Sequence, residues 1–220
     1  MSVDIGSWCA DITGRLRESY GEALLFVGLQ GSYGRGEERP ESDIDLVVIL
    51  KSLSVKELDM YRALLDEMPR GELACGFIAG ESELACWRPS ELFHLYFDTT
   101  PLYGSLEAVR GLFDEEAARQ AVKEGGCAIY HGCVHNYLYE KSEEALAGLC
   151  KLAFFTLRAK YFAENGYYVK KMSELSALLS GEEKKLLEIA LSFQSGKGGV
   201  PFRELSELLI DWSAGIIAGY

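Results

Sequence analysis

Residues 31–46, GSYGRGEERPESDIDL, separate two short apolar runs, ALLFVGL at 23–29 and IDLVVIL at 44–50. That arrangement restricts the fold severely. Each run has the length of a strand, and the linker opens on Gly-Ser and closes on Asp-x-Asp. Residues two apart on a strand project to one side of the sheet, so Asp43 and Asp45 share a face. Carboxylates placed this way repel one another unless a cation lies between them. Magnesium, completed by the oxygens of a triphosphate, satisfies that requirement.

The residues ahead of the pair suit the same ligand. Gly31 allows a sharp turn where a side chain would obstruct a phosphate. Ser32 offers a hydroxyl at the start of a short helix whose amides attract anions. Gly34 and Gly36 keep the loop thin, and Arg35 brings a forked cationic donor matched to phosphate. Gly-Ser alone is a turn, and a lone Asp-x-Asp is commonplace. Their ordered combination at two strand ends points instead to nucleotide binding and phosphoryl transfer.

Composition narrows the partners. The net charge is −12 over 220 residues, with no long Lys/Arg run, which disfavours duplex or long RNA substrates. Hydrophobic residues at 48% and charged residues at 25% describe an ordinary folded domain or pair of domains. No apolar run reaches membrane-spanning length, and the N-terminus lacks a signal core, so a cytoplasmic location is expected. Six scattered cysteines fit reduced thiols better than a disulfide framework.

Periodicity divides the chain. Ile5, Trp8, Ile12, Leu16 and Tyr20 predict an opening amphipathic helix, and Val55–Met68 a second that stops at Pro69. Residues 72–78 alternate as a third strand, residues 90–96 form a short helix, and 99–103 a last extended segment. From Ser105 onward helical stripes replace strands, among them Leu146, Leu149, Leu152, Ala153 and Leu157. Residues 180–183 read as a capping box, 195–199 as a loop, and a final helix ends near Ile217. The expected architecture is an α/β unit over 1–104 followed by an all-helical unit over 105–220.

GSYGRGEERPESDIDLVVIL resembles the signature of the DNA-polymerase-β-like nucleotidyltransferases, particularly small prokaryotic members. The resemblance implies a small mixed-sheet α/β (α+β) nucleotidyltransferase domain and a Mg2+-dependent transfer of NMP from an NTP to a hydroxyl. It assigns Gly31 and Ser32 to the nucleotide phosphates, Asp43 and Asp45 to the metals, as two ions with the bound NTP, and Arg35 to a supporting basic position. The two-unit layout is similar to kanamycin-type aminoglycoside nucleotidyltransferases, and residues 89–104 and 150–175 carry weaker echoes of that group. The family adds a third carboxylate on the next strand. Here that strand reads GELACGFIAG, with Cys75 and Gly76 where an acid is expected and Glu72 its only acid. Glu72 therefore stands as the candidate third catalytic carboxylate, with a solvated strand edge as its plain alternative.

Other groups offer further chemistry. Cys127, His131 and His135 share a helix face at spacing four and can be read as a zinc site, whereas Cys133 points elsewhere; packing or interface roles compete. Asp98, Glu140, Glu143 and Glu144 can supply a base from outside the sheet, or can simply form solvated helix faces; the aminoglycoside enzymes that the chain resembles use a glutamate from the helical domain. Tyr137, Tyr139, Tyr161, Tyr167 and Tyr168 can line an acceptor pocket or serve as half-buried core. Nucleotidyltransferases of this type also act as antitoxins beside helical HEPN ribonucleases. Arg158 is followed by AKYFAE, without the histidine such a nuclease needs. The sequence leaves open a small-molecule or protein acceptor, a homodimer or helical partner, and a second reading as a catalytically weak nucleotide-binding regulatory module.

Overall fold

The computed structural model describes residues 3–39, 42–194 and 200–220, with residues 193 and 194 described by their backbone alone. The chain separates into two compact units, 1–113 and 114–220.

The first unit opens with helix α1 (Ile5–Tyr20), started by Asp4, whose carboxylate accepts the Ser7 amide. Its spaced apolar residues Trp8, Ile12, Leu16 and Tyr20 are buried. Strand β1 (Leu24–Leu29) follows, then the short helix α2 (Gly31–Arg35) and strand β2 (Ile44–Leu50). Helix α3 (Val55–Glu67) begins at a capping box formed by Ser54 and Glu57. It ends where Met68 and Pro69 cannot continue it. Strand β3 (Ala74–Gly80), helices α4 (Glu81–Ala85) and α5 (Pro89–Asp98), strand β4 (Thr100–Tyr103) and helix α6 (Glu107–Arg110) complete the unit.

The sheet order is β3-β2-β1-β4. β1 runs antiparallel to β2 and β4, and β2 parallel to β3, so the sheet is mixed. Alternation assigns its faces: Val27 and Leu29 from β1, and Ile44, Leu46, Val48 and Leu50 from β2, join α1 and α3 in one core. Asp43, ahead of β2, and Asp45, within it, therefore fall on the opposite face, at the end of the sheet where β1 finishes and β2 and β3 begin.

The third strand starts later than alternation predicts. Residues Gly71–Leu73 form a 3-10 turn, and β3 begins at Ala74. The cause is local: Arg70 is left-handed, at φ 58°, and Gly71 packs so tightly that a Cβ there would meet the Leu65 carbonyl.

The second unit contains α7 (Glu116–His135), prolonged by a π-helical turn Asn136–Glu140, then α8 (Glu143–Asn165), α9 (Met172–Leu178), α10 (Gly181–Gln194) and α11 (Phe202–Gly219). α7 and α8 pack against each other, α11 lies chiefly on α7 and α10 on α8. Leu146, Cys150, Ala153, Phe154, Leu157 and Ala159 are buried along α8, together with Arg158, whose guanidinium lies 4.4 Å from the Phe154 ring and 4.8 Å from that of Phe155. The predicted loop 195–199 lies outside the described residues. Among those described, no helix is long and apolar enough to cross a membrane.

Candidate active site

The Gly-Ser turn is held between two strand ends. Gln30 leaves β1 in extended conformation, and its amide donates to the Asp45 carbonyl at 2.8 Å. Its side chain reaches the other way, donating to the Thr99 hydroxyl at 2.8 Å. Gly31 then turns with φ 66°, a conformation that disfavours any side chain. A Cβ on Gly31 would stand 1.7 Å from Asp45 Oδ2. The first glycine of the motif and its second aspartate are thus in direct apposition.

Helix α2 is short but firmly seated. Tyr33 is buried in the core shared with α1 and α3. The Gly34 amide closes the first turn on the Gln30 carbonyl at 2.9 Å. A Cβ on Gly34 would stand 2.8 Å from the Leu29 carbonyl, so only glycine lets the helix sit this close to the strand end. Ser32 is half-buried in the same turn.

Arg35 is less free than a lone phosphate-binding cation. Its Nε lies 3.2 Å from Glu37 Oε2, and the two side chains are only 10% and 22% exposed. Its guanidinium is anchored beside the turn, and Glu37 offsets part of its charge. Sequence reasoning passed over Glu37 although it is two residues from Arg35; Gln30, which ties the turn to Thr99, carried no sequence signal.

Asp43 is exposed just before β2, and Asp45 is half-buried within it. The parallel register pairs Asp45 with Cys75, so the neighbouring position on β3 holds an exposed thiol. Glu72 lies ahead of that strand in the 3-10 turn. Its carboxylate takes Arg70 Nε at 2.7 Å and is 67% exposed. A bond from its own backbone amide, and then the Arg70 guanidinium, hold the Glu72 carboxyl below the usual carboxylate range, which weakens it as a base. Among the described residues, no group of three or more His, Cys, Asp or Glu side chains is gathered to hold a metal. The carboxylate pair still suits a hard cation. Asp43 and Asp45 offer hard oxygen ligands two residues apart, and Gly31 leaves room for the Asp45 carboxylate where a Cβ would collide with it. Such a pair holds magnesium when substrate phosphates supply the other ligands.

The remaining candidates are dispersed. Asp98 is buried at the end of α5, whereas Glu140, Glu143 and Glu144 are exposed in the second unit. Cys133 is buried, its thiol donating to the Ser206 carbonyl at 3.5 Å, while Cys127, His131 and His135 are exposed. The four do not gather into one zinc site. Tyr137, Tyr161 and Tyr168 are half-buried, and Tyr139 and Tyr167 exposed.

Residues 10–85 match the family model described as nucleotidyltransferase domain, a span that contains every residue of the motif. The part of the chain that holds the motif is therefore nucleotidyltransferase-like. A relative from Methanocaldococcus jannaschii, named for an inferred protein adenylyltransferase activity, is 36% identical over 52 residues. That match spans 24% of this chain and 35% of the relative. The fold is similar to that of a spectinomycin adenyltransferase from Enterococcus faecialis, solved with ATP and spectinomycin, with a TM-score of 0.57 and 14% identity. The likeness covers 96% of this chain and 98% of that one, so both the sheet domain and the helical domain have counterparts there.

Proposed function

We propose that the protein transfers a nucleoside monophosphate from an NTP to a hydroxyl group and releases pyrophosphate. The observation that carries this reading is the apposition of Gly31 and Asp45, which sets the Gly-Ser turn directly against a carboxylate where β1 ends and β2 begins. The turn of Gly31 and Ser32 binds the triphosphate, since first-turn amides lack acceptors within the helix. Arg35, steadied by Glu37, adds positive charge beside it. Asp43 and Asp45 would hold Mg2+, which when bound neutralises phosphate charge and orients the triphosphate.

In the transfer the acceptor oxygen bonds to the α-phosphorus, and the bond from that phosphorus to the bridging oxygen breaks. Pyrophosphate leaves with the electron pair, and the acceptor proton passes to a base or to water. The chain's own contribution is to fix the nucleotide and exclude misalignment, where most of the rate of such reactions arises. Both similar proteins are named as adenylyl transferases, which favours ATP as donor. Their named acceptors differ, a protein in one case and spectinomycin in the other; the two-unit fold shared with the latter favours a small polyol or aminoglycoside.

A second reading has one observation in its favour. Glu72 is paired with Arg70 ahead of β3, and Cys75 stands beside Asp45 where an acid would complete the site. A chain so built can bind nucleotide and turn over slowly, as a regulatory or antitoxin-like module. Pyrophosphate release separates the two. The protein is incubated with each NTP, Mg2+, and a panel of polyols, aminoglycosides and proteins. Acceptor-dependent release supports transfer; tight NTP binding without release in any mixture supports the regulatory module.

A further inference from the structure

The exposed face of α7 carries chemistry that the nucleotide site does not use. His131 and His135 are four residues apart on a regular helix, so their side chains are stacked one turn apart. Both are exposed, and their ring centroids are 6.3 Å apart. Glu140 Oε1 lies 3.4 Å from His135 Nδ1. A carboxylate beside one ring nitrogen is the kind of partner that orients and supports a metal-bound imidazole. The Tyr139 ring packs on His135 at 5.0 Å and restricts its rotation further.

The element that delivers Glu140 is itself fixed. The π-helical turn Asn136–Glu140 ends in a two-way clasp. The Asn136 amide donates to the Ser142 carbonyl at 2.9 Å, and the Ser142 amide donates back to Asn136 Oδ1 at 2.9 Å. Asn136 is buried, so the clasp fixes the turn that carries Glu140 and Tyr139 beside His135. π-Helical turns within helices often mark functional positions.

We propose that His131 and His135 form a surface site for a borderline divalent cation such as Zn2+, bound through one nitrogen of each ring, with water in the remaining positions. Imidazole nitrogens select zinc, copper or nickel over magnesium, so this site differs in chemistry from the carboxylate pair of the first unit. Cys127 and His135 are two turns apart, about 12 Å along the axis, and cannot enter one coordination shell. Cys133 is removed by burial against Ser206. The open positions are what distinguish a two-histidine site from a closed structural one.

The test is zinc binding by the full-length chain against a chromophoric zinc indicator, with excess Mg2+, in an Asp43→Asn/Asp45→Asn background that removes the motif's oxygen ligands. One zinc per chain is expected to be withdrawn from the indicator. His131→Ala and His135→Ala should each weaken binding at least tenfold, Glu140→Gln should weaken it about tenfold, and Cys127→Ala should leave it unchanged. All four residues are exposed, and unaltered circular dichroism will show that the variants fold. Zinc binding of equal strength in both histidine variants, loss of binding in Cys127→Ala, or no competition with the indicator would overturn the site.

Discussion

The two units of this chain store information differently. In the first, a run of sixteen residues brings its own turn, its own helix and both carboxylates, and Gly31 meets Asp45 across the strand ends it connects. In the second, the defining contacts join residues far apart in sequence. Gly125 on α7 admits Thr156 of α8, Gly126 admits Ile216 of α11, and Gly132 admits Leu149 of α8. A local motif fixes chemistry and can be recognised alone. A distributed set of close helix approaches fixes shape and is visible only once folded.

That contrast can be broken experimentally. Among single substitutions, the largest effect should come from Gly31→Ala. A Cβ there would displace the Asp45 carboxylate, and a displacement of this kind costs about 100-fold in turnover. Measured kcat/KM for pyrophosphate release should fall by that much while the circular dichroism spectrum is retained. An unchanged kcat/KM in Gly31→Ala would mean that the motif is not the site.

Gly125→Ala should act on the other unit. Its Cβ would stand 2.2 Å from Thr156 Oγ1, and overpacking at such a contact costs about 1–3 kcal/mol. Urea unfolding should show the loss, with the affinity for ATP unchanged in native buffer. A fall in ATP affinity as large as the fall in stability would erase the distinction between the units. Ser54→Ala is a smaller change, removing the capping box of α3 at a cost of about 1 kcal/mol.

The cysteines sharpen the same comparison without loss of stability. Cys75, Cys86 and Cys127 are exposed. Cys9 and Cys150 are buried, with burial pushing their thiols up to about 11 and about 12, and Cys133 is buried and raised as well. A thiol reagent at neutral pH should modify the exposed three rapidly and the buried three only on unfolding, since the thiolate is the reacting form. Rapid modification of Cys150 would show that α8 is not the closed core described.

The first unit was legible because its signals are local. Apolar runs bounded by Gly-Ser and Asp-x-Asp gave β1 and β2 to within a residue. Spaced apolar residues gave α1 and α3. The start of β3 departs from the pattern: Leu73 and Cys75 alternate like strand residues, while the left-handed Arg70 and the packed Gly71 impose a turn first. Within the site, the ordering of Gly31, Ser32, Asp43 and Asp45 was plain, but the pairing of Glu72 with Arg70 depends on that turn and so escaped the pattern.

The second unit gave its helices but not its interior. α8 is buried on most of its circumference, which blurs the 3.6-residue stripe that Leu146, Leu149 and Leu157 suggest. Arg158 is the sharpest case. A charged residue in a helix reads as solvated, yet its side chain is fully buried among Phe154, Phe155 and Tyr168. Two of those rings lie three and four residues before it, and the third arrives from beyond the helix end.

The central claim is that Gly31, Ser32, Asp43 and Asp45 direct attack at the α-phosphorus of a nucleotide. The most direct measurement uses ATP labelled at either the α- or the γ-phosphorus, with Mg2+ and the acceptor panel, in the native chain and the Asp43→Asn/Asp45→Asn variant. The account predicts that label reaches the acceptor from the α position only, that pyrophosphate is released in equal amount, and that both are lost in the variant. Transfer of γ label, or α transfer that persists in the variant, would contradict it.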